Sequence, residues 1–315
     1  MLIDKKKFNL NYKIIIEDNY NKNIILKSYN DLTDNETNNF EDNLNSFTIK
    51  CDIKREISET SQIAKLTIYN LGEDTRKRIK KNFYTDNNII KNFRKIEIYA
   101  GYESFVTLIF KGFIYTCLSY KNNTEMITEL NCLSNGTTAV AGHSNISLNP
   151  NYTDYEIIQQ LAKTMTNVEI GYITKDTDNL FHKNKRGYSF DKNAFEILRD
   201  KNKTLDIFID NQKLYIMNEK EVRTAETIEI TADSGLMSIK EYEIYLEITM
   251  IFEPLANLNN KVVIKSDVFK EYNGIYSIMG INHSLNISKI GNNSLGQTTL
   301  KINSLNKKLM KEIKV

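Results

Sequence analysis

Four polar residues, Glu73 to Arg76, follow a glycine in the segment AKLTIYNLGEDTRKRI and have the residue types of an acid–base site. Carboxylates beside an arginine can transfer protons or hold a charged substrate. A short helix, however, favours the same order of charges, with acidic residues at its positive N-terminus and basic residues toward its C-terminus. The spacing also predicts Glu73 beside Lys77 and Asp74 beside Arg78, one helical turn apart. We therefore interpret the stretch as the start of a helix and not as a catalytic centre.

The other residues able to do chemistry form no known catalytic motif. The histidines are His143, His182 and His283, with no pair at i and i+4, and the chain contains no HExxH, GxSxG, GxGxxG or P-loop sequence. His283 follows Ile281 in a predicted strand, where a packing or surface role is expected. Aspartates and glutamates are frequent, but no pair stands out by its spacing. The sequence predicts no catalytic residue and no cofactor.

Neither the cysteines nor the most acidic segment has the spacing of a metal site. Cys51, Cys117 and Cys132 are far apart, form no CxxC pair, and lie in alternating apolar patterns typical of reduced core residues. The segment NDLTDNETNNFEDN lacks the glycine and the ligand spacing of a calcium loop. We predict a flexible surface loop there, and no metal site in the chain.

Composition excludes several classes of partner. Lys and Arg total 42 and Asp and Glu total 40, which gives a net charge of +2 over 315 residues. This balance gives no bulk attraction to DNA or to anionic lipid, so we expect neither sequence-specific nucleic acid nor a membrane as partner. No apolar run reaches the ~18 residues that span a bilayer, and the first residues do not resemble a signal peptide. We expect assembly in the cytoplasm of a bacterial host.

Period-2 alternation dominates the first part of the chain and predicts half-buried strands. In SFTIKCDIKR, the residues Phe47, Ile49, Cys51 and Ile53 share one face. Further strands are predicted in AKLTIYN, KIEIYAGY, FVTLIFKGFIYTCLSY and, after the turn KNNT, in EMITELNCL. This is the pattern of an antiparallel sheet long enough to form a barrel or sandwich.

A different pattern begins near Asn151 and predicts a small α+β unit. Thr153 and Glu156 form a capping box before an apolar helical stripe. A strand follows, then a second helix that Asp191 could cap, and then a hairpin in LDIFIDNQKLYIM that turns at Asp210-Asn211. The remainder returns to strands, with an Asn273-Gly274 hairpin turn.

Two segments share the order glycine, Ile-Tyr, strand, polar turn and strand: FKGFIYTCLSYKNNTEMITELNC and YNGIYSIMGINHSLNISKIGNNSLGQTTLKIN. The match suggests an internal duplication, so that three chains would offer six similar modules in one ring. The predicted fold is mainly β with an α+β insertion: two related antiparallel β-barrel modules flank a small α+β middle domain. The predicted boundaries are 1–145, 146–224 and 225–305, with a tail or short helix at 306–315.

These landmarks together resemble the hub proteins of contractile phage tails and of phage-tail-like bacteriocins. The resemblance covers about Phe47 to Leu305 and rests on the order of several short motifs. They are Ile68-Tyr69-Asn70-Leu71, Thr75-Arg76, Ala100-Gly101-Tyr102, Phe110-Lys111-Gly112, the segment ADSGLMS, and NGIYSIMGINHSLN with its strand that reaches a histidine.

The resemblance implies a structural protein and not an enzyme. It implies a homotrimer at the end of the tail tube, in which two similar barrels per subunit form a pseudo-sixfold ring joining a hexameric tube to a trimeric central spike. The implied partners are the tail tube protein, the spike protein and the baseplate wedge proteins, with the tape measure protein as a further candidate. We expect no fused cell-wall hydrolase after the second β module.

Two alternatives remain open at this point: a tail-associated peptidoglycan hydrolase, and a distal-tail or carbohydrate-binding β module. Zymography would reveal the first and glycan binding the second. Under the hub interpretation, the helix that begins after Gly72 is predicted to lie at a subunit contact, through Glu73, Asp74, Arg76 and Arg78.

Overall fold

The computed structural model describes residues 7, 9–18, 20, 22–28, 43–44, 47–80, 94–103, 105–134, 143–148, 150–165, 167–175, 180, 183–231, 233–288, 294–303 and 311–314. Most of the predicted surface loop, residues 30–42, and His182 lie outside these ranges. The side chain of His143 is likewise not described.

Strands make up most of the described chain, as the alternating pattern predicts. The strands are β1 (Leu10–Glu17), β2 (Asn23–Lys27), β3 (Asn43–Leu44), β4 (Ile49–Glu56), β5 (Ile63–Tyr69), β6 (Arg94–Tyr102), β7 (Phe105–Asn122), β8 (Glu125–Leu133), β9 (His143–Leu148), β10 (Glu169–Ile173), β11 (Tyr188–Asn193), β12 (Leu205–Asp210), β13 (Lys213–Asn218), β14 (Glu221–Ile230), β15 (Leu236–Glu241), β16 (Tyr245–Ile251), β17 (Asn260–Ile264), β18 (Gly274–Ile287), β19 (Leu295–Asn303) and β20 (Lys311–Ile313). The helices are α1 (Glu73–Ile79), α2 (Asp154–Thr164) and α3 (Ala194–Lys201), with a 3-10 turn at Lys270–Tyr272.

Fifteen strands form one large sheet, and the prediction of a mainly β fold with an α+β insertion is confirmed. Its main path runs β15-β16-β19-β18-β4-β5-β8-β7-β6-β1-β2-β3, with β14, β17 and β20 attached beside β18. Among the described strands this path does not close on itself, so the predicted closed barrels are not formed. The reason lies in β18: residues 280–287 pair antiparallel with β4, so the two β modules share one continuous sheet.

The two halves of the large sheet repeat the same topology. In the first half, the hairpin β4–β5 is followed by β6 and then by the hairpin β7–β8, in the spatial order β4-β5-β8-β7-β6. In the second half, β15–β16, β17 and β18–β19 follow in the same sequence, in the order β15-β16-β19-β18-β17. This agreement of connectivity and strand order supports an internal repeat.

The Gly-Ile-Tyr match that suggested this repeat in the sequence is not its structural alignment. The pairing of β7 with β8 shifts between Ile114 and Thr116, and that of β18 with β19 shifts between Ile278 and Gly280. Aligning the two shifts places Gly112 at the level of Tyr276 and not of Gly274. The prediction of two related modules is therefore right, although the short motif that prompted it is out of register.

Alternation along the strands builds the core. In β4, Ile49, Cys51 and Ile53 are fully buried, whereas the alternate residues face solvent. The first core cluster is formed mainly by residues of the elements from β1 to β8. The second is formed mainly by the second repeat and also includes Phe208, Tyr215 and Met217 of the middle region. A third cluster packs α2 and α3 against β12 and β13.

The middle region confirms its predicted caps and hairpin in most details. Thr153 caps α2, and its backbone N–H donates to the carboxylate of Glu156, which completes the capping box. The second helix begins at Ala194 and is capped by Asn193, not by Asp191, which lies in β11. The predicted hairpin forms, but its turn consists of Asn211 and Gln212, one residue later than predicted, because Asp210 is the last residue of β12. Both turn residues have positive φ, as a two-residue antiparallel hairpin requires.

The end of the chain differs from its prediction. Residues 306–315 were expected to form a tail or short helix, but Lys311–Ile313 forms β20, which pairs in parallel with β14. Residues 304–310 and 315 lie outside the described ranges. A helix of this length is marginally stable without tertiary contacts, whereas a strand can pair with the open edge of β14.

Candidate assembly surface

The helix α1 forms where the sequence predicts it and for the predicted reason. It follows Gly72, whose extended backbone serves as the N-cap without a side-chain hydrogen bond. Glu73 and Asp74 occupy the first turn, and Lys77 Nζ lies 2.7 Å from Glu73 Oε1, an exposed pair one turn apart. Helix–dipole and i,i+4 interactions thus account for the charge order without a substrate.

Arg78 makes a contact that the spacing along the helix does not predict. Its Nε and Nη2 donate to Asp18 Oδ2 at 3.0 and 2.9 Å, across from α1 at the end of β1. Arg94 at the start of β6 donates to the carbonyl oxygen of Arg78 at 2.6 Å, which satisfies a C-terminal carbonyl of α1. These contacts fasten α1 to the first β module.

Asp18 is buried, and its surroundings determine its charge state. Burial by itself raises the pKa of this carboxyl group, but the backbone N–H groups of Lys22 and Tyr20 and the Arg78 guanidinium donate to it and lower its pKa below the ordinary value. Asp18 is therefore a stable anion that holds both the β1–β2 turn and the C-terminal turn of α1.

The exposed part of α1 is smaller than the four residues predicted from the sequence. Thr75 and Ile79 are buried and Arg76 is partly buried, with its Nε donating to the carbonyl oxygen of Leu71 at 3.0 Å. Glu73 and Asp74 face solvent. The subunit contact at α1 stays a prediction, and among the four named residues these two are its exposed members.

A buried cluster of charges joins the three parts of the chain, and sequence reasoning missed it. Arg55 of β4 donates from Nη1 to Asp210 Oδ1 at 3.0 Å, and Arg223 of β14 donates to Asp210 Oδ2 at 3.2 Å. Backbone carbonyls of Ala256 and Leu258 accept from the two guanidinium groups. Because Arg55 belongs to the first repeat, Asp210 to the middle region and Ala256 to the second repeat, this cluster fixes their arrangement.

His283 of β18 belongs to the same buried cluster. Its Nε2 lies 3.4 Å from Arg55 Nη2 and its Nδ1 lies 2.9 Å from Thr298 Oγ1. Because a guanidinium only donates, Nε2 accepts and Nδ1 carries the proton. Burial, and secondarily the charge of Arg55, lower the pKa of His283 well below its ordinary value, so the ring stays neutral. His283 is a packing residue, in agreement with its expected role.

The middle region is held against the turn between β4 and β5. Arg199 of α3 donates to the carbonyl oxygens of Ile57 at 2.5 Å and Ser58 at 2.8 Å. The side chain of Gln62 reaches the backbone of Glu56 and the carbonyl oxygen of Ile209. Both contacts lie beside the sheet junction of β4 and β18, and they place the middle region on the seam between the repeats.

Several of the exposed apolar side chains lie at the two ends of the eight-stranded path from β7 to β15. On β7, Leu118 is 57% exposed and Tyr120 is 39% exposed. On β15 and the turn after it, Met237 is 59% exposed, Tyr242 is 43% exposed and Ile244 is 69% exposed. Exposed apolar side chains at the open edge of a sheet are compatible with a protein–protein contact there.

The described residues also bear on metal binding and on membrane crossing. No three side chains among His, Cys, Asp and Glu come together in a metal-binding group there. None of the helices found in these ranges has the length and apolar character needed to cross a bilayer.

Comparison with known proteins decides the family. The family model described as Baseplate hub gp41 matches residues 31–289, most of the chain. The chain belongs to the Baseplate hub gp41 family. As a hub-family protein, it has a structural role in a phage tail baseplate, and the resemblance to tail hubs read from its sequence is confirmed.

Solved structures of tail proteins share the fold of this baseplate hub. The 43 kDa tail protein of prophage MuSo2 from Shewanella oneidensis aligns with a TM-score of 0.59 and 11% identity over 92% of this chain and 96% of that one. A tail protein from Neisseria meningitidis MC58 aligns with a TM-score of 0.55 and 8% identity over 95% and 99%.

A third fold relative of the hub comes from a secretion system. The E. coli c3393 protein, described as a type VI secretion component with structural similarity to T4 bacteriophage tail proteins gp27 and gp5, aligns with a TM-score of 0.51 and 7% identity over 81% of this chain and 73% of that one. At such identities these likenesses establish the fold alone. A search of curated protein sequences finds no match to the hub chain.

Proposed function

We propose that this hub-family chain forms a homotrimer that joins a hexameric tail tube to a trimeric central spike. The observation that carries the proposal is the internal repeat within one continuous sheet. Two repeats per chain give three chains six similar units, so a threefold assembly presents a nearly sixfold face to the tube and a threefold face to the spike.

The proposed trimer contacts further tail proteins and forms inside the host cell. The tail tube protein contacts one face of the trimer and the spike protein the other, with wedge proteins around it and the tape measure protein as a further candidate. The trimer forms in the cytoplasm of a bacterial host and becomes part of the baseplate of a virion or of a bacteriocin tail. The units 1–145, 146–224 and 225–305 remain the predicted division of the chain.

The first experiment measures the mass of the full chain in solution and its binding to tail proteins. Sedimentation velocity across a range of concentrations should show a threefold mass. Co-expression with the tube and spike proteins from the same gene neighbourhood should give a complex with three hub chains per spike trimer. A chain that stays monomeric alone and in the presence of both partners would overturn the proposal.

The proposal assigns no catalytic step to this chain. The buried charge cluster of Arg55, Asp210 and Arg223 has its acceptors within the protein, which suits a structural role. Zymography of the purified full chain on cell wall should show no clearing. A clearing zone that survives purification to homogeneity would replace the structural role with a hydrolase.

A further inference from the structure

The strand registers align the two repeats residue by residue. In the first repeat, one rung across four strands consists of Thr116, Asn131, Lys65 and Asp52. In the second repeat, the corresponding rung consists of Gly280, Lys301, Glu247 and Lys240. Thr116 and Gly280 are each the first residue after the register shift of their hairpin, so the two rungs occupy equivalent positions.

The two repeats pair with each other through β18 and β4, and this junction is the template for a contact between copies. Residues 280–287 of β18 pair antiparallel with residues 49–56 of β4. At this junction Ser284 lies opposite Asp52 on the solvent-exposed face, and Ser284 Oγ donates to Asp52 Oδ1 at 2.7 Å. The fourth strand of the second repeat, β18, is thus joined to the first strand of the first repeat, β4.

Under the alignment of repeats, the strands that correspond to β18 and β4 have no such pairing with each other among the described residues. By the alignment of repeats, β7 corresponds to β18 and β15 corresponds to β4. The edge of β7 beyond Ile114, residues 116–122, pairs with β8 on one side only, and β15 pairs only with β16. We call residues 116–122 the β7 edge and Leu236–Glu241 the β15 edge.

Strand direction allows these two edges to join in a ring. The path from β7 through β8, β5, β4, β18, β19 and β16 to β15 contains eight strands, and each neighbouring pair is antiparallel. An even number of strands leaves the β7 edge and the β15 edge running in opposite directions. Head-to-tail pairing between copies therefore continues the antiparallel alternation and can close with rotational symmetry.

The exposed side chains of the two edges fit this contact. Leu118 and Tyr120 project from the β7 edge, and Met237 and Tyr242 project from or directly follow the β15 edge. Natural proteins protect open sheet edges from uncontrolled pairing, and a closed ring of identical copies removes both edges at once. A second copy of this chain is therefore the occupant that the edges favour.

We infer that the β7 edge of one copy pairs antiparallel with the β15 edge of the next copy, in the register that the β18–β4 junction sets. Tyr120, equivalent to Ser284, lies opposite Lys240, equivalent to Asp52, and Leu118 lies opposite Tyr242. This contact rests on the trimer proposed above and is its contact surface. The β7–β15 pairing between copies is then quasi-equivalent to the β18–β4 pairing within each copy.

Cysteine crosslinking tests the register in the full chain. Tyr120→Cys and Lys240→Cys are combined in a Cys117→Ala background, which leaves the two buried cysteines, Cys51 and Cys132. Oxidation should give reducible species up to the trimer on a non-reducing gel, because opposite residues in neighbouring strands lie within disulfide distance. Far-UV circular dichroism of the reduced variant checks that it is folded.

A matched control shifts the second cysteine by two residues on the same face. Tyr120→Cys with Ser238→Cys moves the thiol by about 7 Å along the strand, beyond disulfide reach, and should lower the crosslinked fraction at least tenfold. A reduced variant that sediments as a trimer but crosslinks no better than the control overturns the edge contact and leaves the trimer intact. A chain that stays monomeric in the presence of the tube and spike proteins and forms no crosslinks overturns both the contact and the trimer.

Discussion

Asp210 lies between two buried guanidinium groups and carries the negative charge that compensates them. Arg55 and Arg223 each donate to one of its oxygens. Removing one partner of a buried ionic cluster leaves uncompensated charge in a poorly solvated site, which costs more than the intact cluster gains. Because breaking the cluster costs free energy of folding, the cluster fixes the arrangement of the three chain regions.

We predict that Asp210→Asn lowers the free energy of unfolding by about 3 kcal/mol, because two buried cations then share a neutral acceptor. Urea denaturation followed by fluorescence or circular dichroism measures the change. The exposed Asp233→Asn variant is the matched control and should stay within about 0.5 kcal/mol of the wild type. Equal stability of the two variants would show that the cluster is not essential to the fold.

Asp18 gives a prediction for the dependence of stability on pH. The pKa of Asp18 in the folded state is below the ordinary value of about 3.9. As pH falls, the Asp18 carboxylate is therefore protonated in the unfolded state before it is protonated in the folded state. The stability it supplies is present at neutral pH and is lost as pH falls through the folded pKa. The difference in unfolding free energy between wild type and Asp18→Asn should shrink between pH 5 and pH 3, measured by urea denaturation at four pH values. A difference independent of pH would contradict this role.

At the scale of single residues, the sequence predicts local pairs and misses distant ones. Glu73 with Lys77 follows from spacing along one element, so it could be predicted. Asp210 lies 155 positions from Arg55, and only the tertiary fold brings them together. One sign was present: Arg55 has the same strand parity as the buried Ile49, Cys51 and Ile53, where a charged side chain requires a buried partner.

Among the elements, α2 depends on a cap that can be tested by a matched pair of variants. Thr153 accepts a hydrogen bond from the backbone N–H of Glu156, and the helix buries Ile157, Ile158 and Leu161 in the third core cluster. Thr153→Ala should destabilise the protein by about 1 kcal/mol, because one N–H at the helix start loses its acceptor. Thr153→Ser keeps the hydroxyl and should restore most of the stability in thermal or urea denaturation. Equal loss in both variants would assign the effect to the methyl group.

The exposed start of α1 remains a predicted subunit contact. It lies beside the start of β8, where Asn70 and Met126 exchange hydrogen bonds, at one end of the sheet. Reversing both exposed charges with Glu73→Lys and Asp74→Lys should weaken binding to a neighbouring subunit of the tail, measured by co-purification and sedimentation, without unfolding the chain. Glu271→Lys in the exposed 3-10 turn is the control.

Charge reversal at Arg78 does not test the α1 contact cleanly, because this residue holds the buried Asp18 and its loss would also destabilise the fold. Charge reversal at Arg76 likewise removes a hydrogen bond to Leu71. Unchanged assembly of the double variant at Glu73 and Asp74 would remove α1 from the contact surface.

Elements were predictable where a local rule decides them. The KNNT turn forms the two-residue connection of β7 and β8, with Asn123 at a positive φ, as predicted. The Asn273-Gly274 pair, by contrast, ends a longer connection: Asn273 bonds to Ser266 through its side chain, and β18 begins at Gly274. The closure of the barrels failed for a related reason, because the pairing of β18 with β4 is set by packing between distant segments.

At the scale of the whole molecule, the bodies of three chains must lie outside the proposed ring. None of the three buried clusters lies on the solvent-exposed face of the eight-stranded sheet. On that face, solvent contacts the β4 residues Lys50, Asp52 and Lys54 and the β18 residues Asn282, Ser284 and Asn286. A barrel built from three such sheets has no room inside for chains of 36.6 kDa. The exposed polar face would therefore line the central channel.

The strand count of the ring sets its expected diameter and symmetry. Three copies of the eight-stranded path give twenty-four antiparallel strands. At a spacing of about 4.8 Å between strands, the backbone diameter is roughly 37 Å for strands along the axis and roughly 48 Å for a tilt of ~40°. Electron cryomicroscopy of the purified trimer should show a barrel within this range that looks sixfold at low resolution and threefold once side chains are visible, because the repeats share topology but not sequence. A trimer whose sheets remain separate, or one joined through β1–β3, would contradict the ring.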